Sequence, residues 1–310
     1  FEISANLNGK KSFLVRFDTL SFDDTKHIHK LIDYTHYIDT KKKVMLLFNP
    51  FENAVPFVNF SENGLVQIDE GNRYTYNVTL RDLAGNSTYL VIPIIGKKEE
   101  VWVRKKPPHK GKMIHPNRDY LFELDKAEVY FNANTFSKTT PLDIFMDHDT
   151  LHIENPYAYF SKSYKLTFEK NDTLNGEYLA LKRQNDWEFV TKRNTKGNFT
   201  ANLNSTGEIA VLQDTIPPFL NDQKNISNRW ISLEKDIRFT VEDFETGVDR
   251  YEGYLNGNWV LFEYEQKKNE LIFKFNDPVK LSQVKHKLKL IVWDKAGNNT
   301  TFETTFYRKE

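Results

Sequence analysis

One pattern occurs twice in this chain, near its two ends, and it fixes the kind of sheet both ends can form. Leu7-Asn8-Gly9-Lys10 is followed by Tyr76-Asn77-Val78-Thr79-Leu80-Arg81-Asp82-Leu83-Ala84-Gly85-Asn86. Leu255-Asn256-Gly257-Asn258 is followed by Leu288-Lys289-Leu290-Ile291-Val292-Trp293-Asp294-Lys295-Ala296-Gly297-Asn298. Asn-Gly supplies the positive φ that a two-residue hairpin turn demands, and each alternating strand runs into an Asp-x-Ala-Gly-Asn turn. The repeat therefore predicts two related antiparallel β domains and not an enzyme core.

From Leu7 to Asp82 is 75 residues and from Leu255 to Asp294 is 39, so the first unit carries 36 more. Their natural place is a helical insertion at about 21–43. Ser21 suits the N-cap, Asp23 and Asp24 complement the helix dipole, and Ile28, Leu31, Ile32 and Thr35 fall at helical spacing. Lys41-Lys42-Lys43 closes the segment, and Val44–Phe48 returns to strand. Strand-like residues such as Ile237–Val241 precede Leu255, whereas six residues precede Leu7. The first unit is thus expected to lack its opening strands and to complete itself with a strand from outside this sequence.

At 310 residues the chain exceeds the size at which one core keeps growing, which predicts two or three domains. The 24 Phe, 15 Tyr and 5 Trp suit strands that pack one face. A basic segment around Pro107-Pro108, from Lys97 to Lys112, reads as a linker or as a basic contact for an anionic glycan or lipid headgroup. Asp214-Thr215-Ile216-Pro217-Pro218 marks a second boundary. The expected domains are 1–98, 113–213 and 214–310. Seven strand candidates between Tyr120 and Leu212 (128–131, 142–145, 151–153, 164–168, 178–182, 187–191 and 208–212) make the middle one a β-sandwich.

The 43 basic and 43 acidic residues balance, which gives no field for nucleic acid. The absence of cysteine removes disulfides, thiolate nucleophiles and cysteine metal sites. No apolar run reaches the roughly 20 residues that span a bilayer. Phe1-Glu2-Ile3-Ser4 is not a signal peptide, so any address signal is expected upstream.

Asp214-Thr215-Ile216-Pro217-Pro218, Glu242-Asp243-Phe244-Glu245-Thr246-Gly247-Val248-Asp249 and Asp294-Lys295-Ala296-Gly297-Asn298 resemble the opening linker, Asp…Thr-Gly-Val loop and closing hairpin of bacterial immunoglobulin-like domains. Phe17–Thr25 with Ile32-Asp33-Tyr34, Asp82–Asn86 and Asn258-Trp259-Val260 are similar, in that order, to the non-catalytic region behind the zinc peptidase domain of Bacteroidota lysostaphin-type murein endopeptidases. The resemblance covers nearly the whole chain. It implies tandem immunoglobulin-like β-sandwiches in an exported periplasmic or outer-membrane-associated protein, with the zinc carried by an upstream domain through His-x-x-x-Asp and His-x-His motifs. His27-Ile28-His29, His29…Asp33 and His115…Asp119 match those spacings literally but lie outside the family's strand context.

Within the chain, one helix through Asp33 would bring His29, Asp33 and His36 to one face, where such side chains can bind zinc; an exposed polar face accounts for the same residues. His148 and His152 form a second spaced pair around a turn. Asp243, Glu245 and Asp249 around Gly247, with Asp214 near, offer hard oxygens for calcium, or simply a tight polar loop. No nucleophile elbow or phosphate loop is present. Trp187, Trp230, Trp259, Tyr251 and Tyr254 could face a sugar, or fill a core. Thr19, Thr150, Thr173 and Thr215 each follow Asp and precede an aliphatic residue, the pattern on which Bacteroidota attach O-glycans.

These residues are expected to make a non-catalytic spacer and docking region needing no cofactor. Its partner is an upstream segment of the parent or another envelope protein, and peptidoglycan is reached through the parent. The alternative is a glycan- or metal-binding surface module that contributes to adhesion or catalysis.

Overall fold

The computed structural model describes residues 1–17, 19, 21, 28–49, 58–98, 111–169, 174–183, 185–275 and 284–309. Most of the 97–112 linker, the first turn expected of the helical insertion, and Thr173 lie outside these residues. The fold is all-β: the described residues form strands grouped in five antiparallel sheets, with immunoglobulin-like sandwiches in tandem. No described helix is long and apolar enough to cross a membrane.

The N-terminal sheet takes β1 (Glu2–Leu7), β2 (Lys10–Arg16), β3 (Val58–Phe60), β4 (Arg73–Arg81) and β5 (Ser87–Ile95) in the order β3-β2-β1-β4-β5. The middle strands are β6 (Lys112–Ile114), β7 (Tyr120–Glu123), β8 (Ala127–Phe131), β9 (Thr140–Asp147), β10 (Thr150–Glu154), β11 (Tyr164–Phe168), β12 (Glu177–Arg183), β13 (Asp186–Lys192), β14 (Phe199–Leu203) and β15 (Gly207–Gln213). They form facing sheets β13-β12-β15-β10-β9-β6 and β14-β11-β8-β7 around one apolar cluster that includes Phe131, Phe136, Tyr164 and Leu179. The C-terminal strands are β16 (Phe219–Asp222), β17 (Asp236–Glu242), β18 (Val248–Leu255), β19 (Asn258–Val260), β20 (Glu263–Glu265), β21 (Glu270–Lys274), β22 (Lys285–Asp294) and β23 (Asn299–Tyr307). Their sheets β16-β17-β21-β20 and β19-β18-β22-β23 enclose Phe239, Phe262, Phe273, Leu290 and Phe306.

The repeat seen in sequence holds in register. Leu7 pairs with Tyr76 and Ala5 with Val78; Leu255 pairs with Leu288 and Gly253 with Leu290. Tyr76 pairs onward with Ile92, and Leu288 with Thr304. The turn chemistry repeats as well. Thr75 donates its backbone N–H to Asn8 Oδ1 at 2.8 Å, and Lys287 donates to Asn256 Oδ1 at 2.9 Å. Both asparagines have positive φ, the conformation this turn requires.

The helical insertion departs from the single helix expected. Residues 28–30 are helical, the chain then breaks at Leu31–Asp33, and α1 spans Tyr34–Thr40. The break has a cause outside the segment: Ile32 bridges to Met45, with Asp33 N–H donating to Val44 O at 2.8 Å and Leu46 N–H to Leu31 O at 2.6 Å. That bridge is all that forms of the strand expected at Val44–Phe48. Asp33 instead caps α1, accepting from His36 N–H at 3.0 Å, and Lys41 ends it in the left-handed conformation. The segment packs Ile28, Met45 and Leu47 on the N-terminal sheet. It also touches the middle sandwich, where Tyr34 meets Tyr159 edge-on with centroids 5.4 Å apart and Tyr157 Oη donates to Asp39 at 3.0 Å.

Gly253 shows how closely the C-terminal sheets approach, because a Cβ there would overlap the buried ring of Phe262. The register-equivalent position in the N-terminal sheet is Ala5. Gly253→Ala is expected to destabilise the C-terminal sandwich by roughly 1–3 kcal/mol through overpacking, read as a lower urea midpoint at unchanged slope.

Candidate functional site

Two features stand out from an ordinary β array: an open apolar face on the N-terminal sheet, and a cluster of carboxylates where the middle and C-terminal sandwiches meet. On the N-terminal sheet, Ile3, Ala5, Phe13, Val15 and Val78 are buried beneath the helical segment. The same face continues across β4 and β5, but there Leu80 is 38% exposed, Leu90 53% and Ile92 38%. The equivalents of Leu80 and Leu90 are Val292, which is fully buried, and Phe302, which is covered by Phe239 of β17 with ring centroids 4.9 Å apart.

At the second feature, Asp214 follows β15 and is fully buried. Its N–H donates to Gly176 O at 2.9 Å, its carboxylate accepts from Ile216 N–H at 3.0 Å and Thr246 Oγ1 at 2.7 Å, and its carbonyl accepts from Asn298 Nδ2 at 3.0 Å. Asp243 accepts from Thr246 N–H at 2.9 Å, and Asp294 from Gly297 N–H at 2.6 Å and Asn298 N–H at 2.8 Å. One carboxylate oxygen from each of Asp214, Asp243 and Asp294 lies within 4.8 Å of the others. Burial, then the Asp214 charge, pushes the Asp294 carboxyl up; burial, then Asp214 and Asp243, pushes Glu245 up. Hard oxygens in such a corner could approach a divalent cation, but calcium takes six to eight oxygens, and these already serve their own loops as acceptors.

The expected site residues are placed as follows. The helix break at Leu31–Asp33 separates His29 from His36 and includes Asp33 itself, so His29, Asp33 and His36 do not share one helical face. His148 occupies the β9–β10 turn with positive φ, while His152 lies in β10 stacked on Phe145 at 4.8 Å. Asp119 accepts from Ala133 N–H at 2.6 Å, and His115 meets Thr139 Oγ1 at 3.1 Å. Thr19 and Thr215 are exposed and Thr150 is half-buried in β10. Tyr251 packs against the core, Trp187 lies under Lys182 and Trp230 stacks on Tyr307. Trp259 is 62% exposed and pairs across strands with Tyr254. Asp294 was missing from the oxygen set read in sequence. Its signal is the spacing shared by the two Asp-x-Ala-Gly-Asn turns, but nothing local joins it to Asp214.

No protein-family model matches the chain, and no curated protein matches it. Among solved structures, the chain is similar to the fibronectin(III)-like modules of Clostridium thermocellum CbhA, at 10% identity over 78% of this chain and 88% of that one, TM-score 0.25. It is also similar to Bacteroides ovatus SGBP-B of a mixed-linkage glucan utilization locus, in complex with a heptasaccharide, at 11% identity over 99% of this chain and 60% of that one, TM-score 0.19. A Ca²⁺-stabilized, ice-binding adhesin of an Antarctic bacterium matches at 8% identity over the whole of this chain and 65% of that one, TM-score 0.19. The chain thus spans less than two thirds of the length of the last two. At these TM-scores the likenesses carry no argument, and the fold stands on the sheets themselves.

Asp294 and Glu245 hold protons more tightly folded than unfolded. Their effect on stability is therefore favourable as pH falls through their raised values and unfavourable above them. Asp214→Asn keeps the shape and removes the neighbouring charge. Its C-terminal unfolding transition should gain less stability than the wild type between pH 7 and about 5, whereas Asp214→Ala should lose roughly 1–3 kcal/mol throughout. Urea unfolding across that range checks both; equal gains in wild type and Asp214→Asn would remove the charge argument.

Proposed function

We propose that this chain is the non-catalytic spacer and docking region of an exported cell-envelope protein, divided into domains 1–98, 113–213 and 214–310. Among the described residues, three separate clusters of buried apolar residues support the division. The observation that carries the spacer reading is the junction at Asp214, a buried residue hydrogen-bonded to both neighbouring sandwiches, which favours a fixed angle between them. The open face on β4 and β5 supports docking. The motif resemblance to the region behind lysostaphin-type peptidases supports a parent that acts on peptidoglycan through a separate domain, with this chain placed in the periplasm or at the outer membrane. Thr19, Thr150, Thr173 and Thr215 are the proposed O-glycan positions; intact-mass analysis of the natively produced protein tests them.

One observation favours a glycan-binding contribution, the exposed Trp259 beside Tyr254 on the solvent face of the C-terminal sheet. Fluorescence titration with soluble murein fragments, against Trp259→Ala, tests it.

Gly176 has φ +79°, and a Cβ there would overlap the carbonyl of Asp214. Gly176→Ala is expected to loosen the junction, broadening the small-angle scattering distance distribution while both sandwiches stay folded; an unchanged distribution would count against the fixed spacer. A working zinc peptidase site needs about three protein ligands and an open water position. The purified, zinc-loaded chain is expected to leave murein undigested, and digestion that is lost in His29→Ala would overturn the non-catalytic reading.

A further inference from the structure

The two ends of the chain provide an internal comparison. In the C-terminal sandwich the second sheet has two halves. The β21-β20 half and its approach lie over β18 and β19, with Tyr264 against Tyr251 at 6.1 Å and Phe262 over Gly253. The β16-β17 half lies over β22 and β23, with Phe239 against Phe302 and Thr300 Oγ1 donating to Pro218 O at 2.6 Å. In the N-terminal unit the helical segment stands in for the first half, burying β1 and β2. Nothing among the described residues stands in for the second, and the exposed apolar residues fall where it would lie: Leu80, Leu90 and Ile92.

The edge tells the same story. β23 is paired along its outer side: Asn228 N–H donates to Thr305 O, Ile231 N–H to Tyr307 O, and Tyr307 N–H to Arg229 O, at 2.7–2.8 Å, all from the connection between β16 and β17. The matching side of β5 carries Pro93, the equivalent of Thr305, which has no N–H to give. A proline there disfavours simple extension of the sheet by an added edge strand. The partner must instead approach the face.

We infer that the open β4-β5 half of the N-terminal sheet is the docking site of a two-stranded antiparallel β segment built like residues 219–242 and joined to β1 as β17 is joined to β18. The partner's chemistry follows from the strands it replaces: Ile237, Phe239 and Val241 alternate inward along β17, and Ile226 lies buried in the connection. Five residues, 243–247, connect β17 to β18, so the cover and the strand beside it belong to one polypeptide in the unit where both are seen. The outer face of β5 differs from its equivalent in the same sense. Tyr89, Val91 and Ile95 take the places of Thr301, Glu303 and Tyr307, so the strand is apolar on both faces, as strands enclosed by other elements are. The inference rests on the docking reading above and names its partner.

The test is a full chain carrying a copy of residues 216–248 directly ahead of Phe1, which the repeat sets in register with Asp249. Hydroxyl-radical footprinting is read at Leu80, Leu90 and Ile92, and sedimentation gives the mass. The wild-type chain should be a monomer with these residues readily oxidised. The fused chain should show severalfold less oxidation at all three. The protection should be lost when the fused copy of Phe239 is changed to Asp, a variant that leaves the original C-terminal sandwich intact. Unchanged oxidation in the fused chain would overturn the proposal. So would a wild-type dimer that Leu90→Glu with Ile92→Glu makes monomeric, because the occupant would then be a second copy. Neither result bears on murein digestion, so failure here and failure of the non-catalytic reading are told apart.

Discussion

A sheet with one apolar face has to be covered, and the architecture follows from how each part of the chain meets that demand. The middle and C-terminal units meet it sheet on sheet, around one apolar cluster in the first and with Phe239 and Phe302 meeting between layers in the second. The N-terminal unit spends its extra residues on a helical segment that covers part of one sheet. Its core is accordingly small, six buried apolar residues among the described ones, of which Ala5 is one. Its cohesion comes instead from the long β4-β5 ladder and from contacts of the helical segment with the middle sandwich.

What was legible in the sequence is what local chemistry determines. Asn-Gly at Asn8-Gly9 and Asn256-Gly257, and the Asp-x-Ala-Gly-Asn turns, place hairpins because positive φ and side-chain capping are needed at those positions whatever else the chain does. The strands with strict alternation, such as Tyr164–Phe168, were readable for the same reason. In the middle unit the strands missed, β6, β7 and β14, are all sheet edges: short, of mixed polarity and without a two-residue turn to announce them. The helix break at Leu31–Asp33 was not legible because its cause is Met45, twelve or more residues on. For the candidate sites, the Gly247 loop could be singled out, but its convergence with Asp294 and Asp214 depends on packing between units.

The two Asp-x-Ala-Gly-Asn turns show how context rather than motif sets chemistry. Asp82 and Asp294 make the same bonds to the asparagine four residues on. Asp82 sits in water, and those bonds hold its carboxyl below the ordinary value. Asp294 is buried beside Asp214, and its carboxyl moves the other way. The same capping residue is exposed in one unit and, in the other, buried at a seam that also holds the Asp214 carboxylate.

That linker residue also has a mechanical meaning. Asp214 is a single point of the main chain fastened on one side to Gly176 and on the other to Thr246 and Asn298. A pull applied along the polypeptide is therefore shared with these cross-connections before it is transmitted into β16, and the loops on either side are loaded together. The two sandwiches would yield to stretching as one stiff segment, with the compliance of the chain displaced away from Pro217-Pro218, where a flexible hinge would otherwise be looked for.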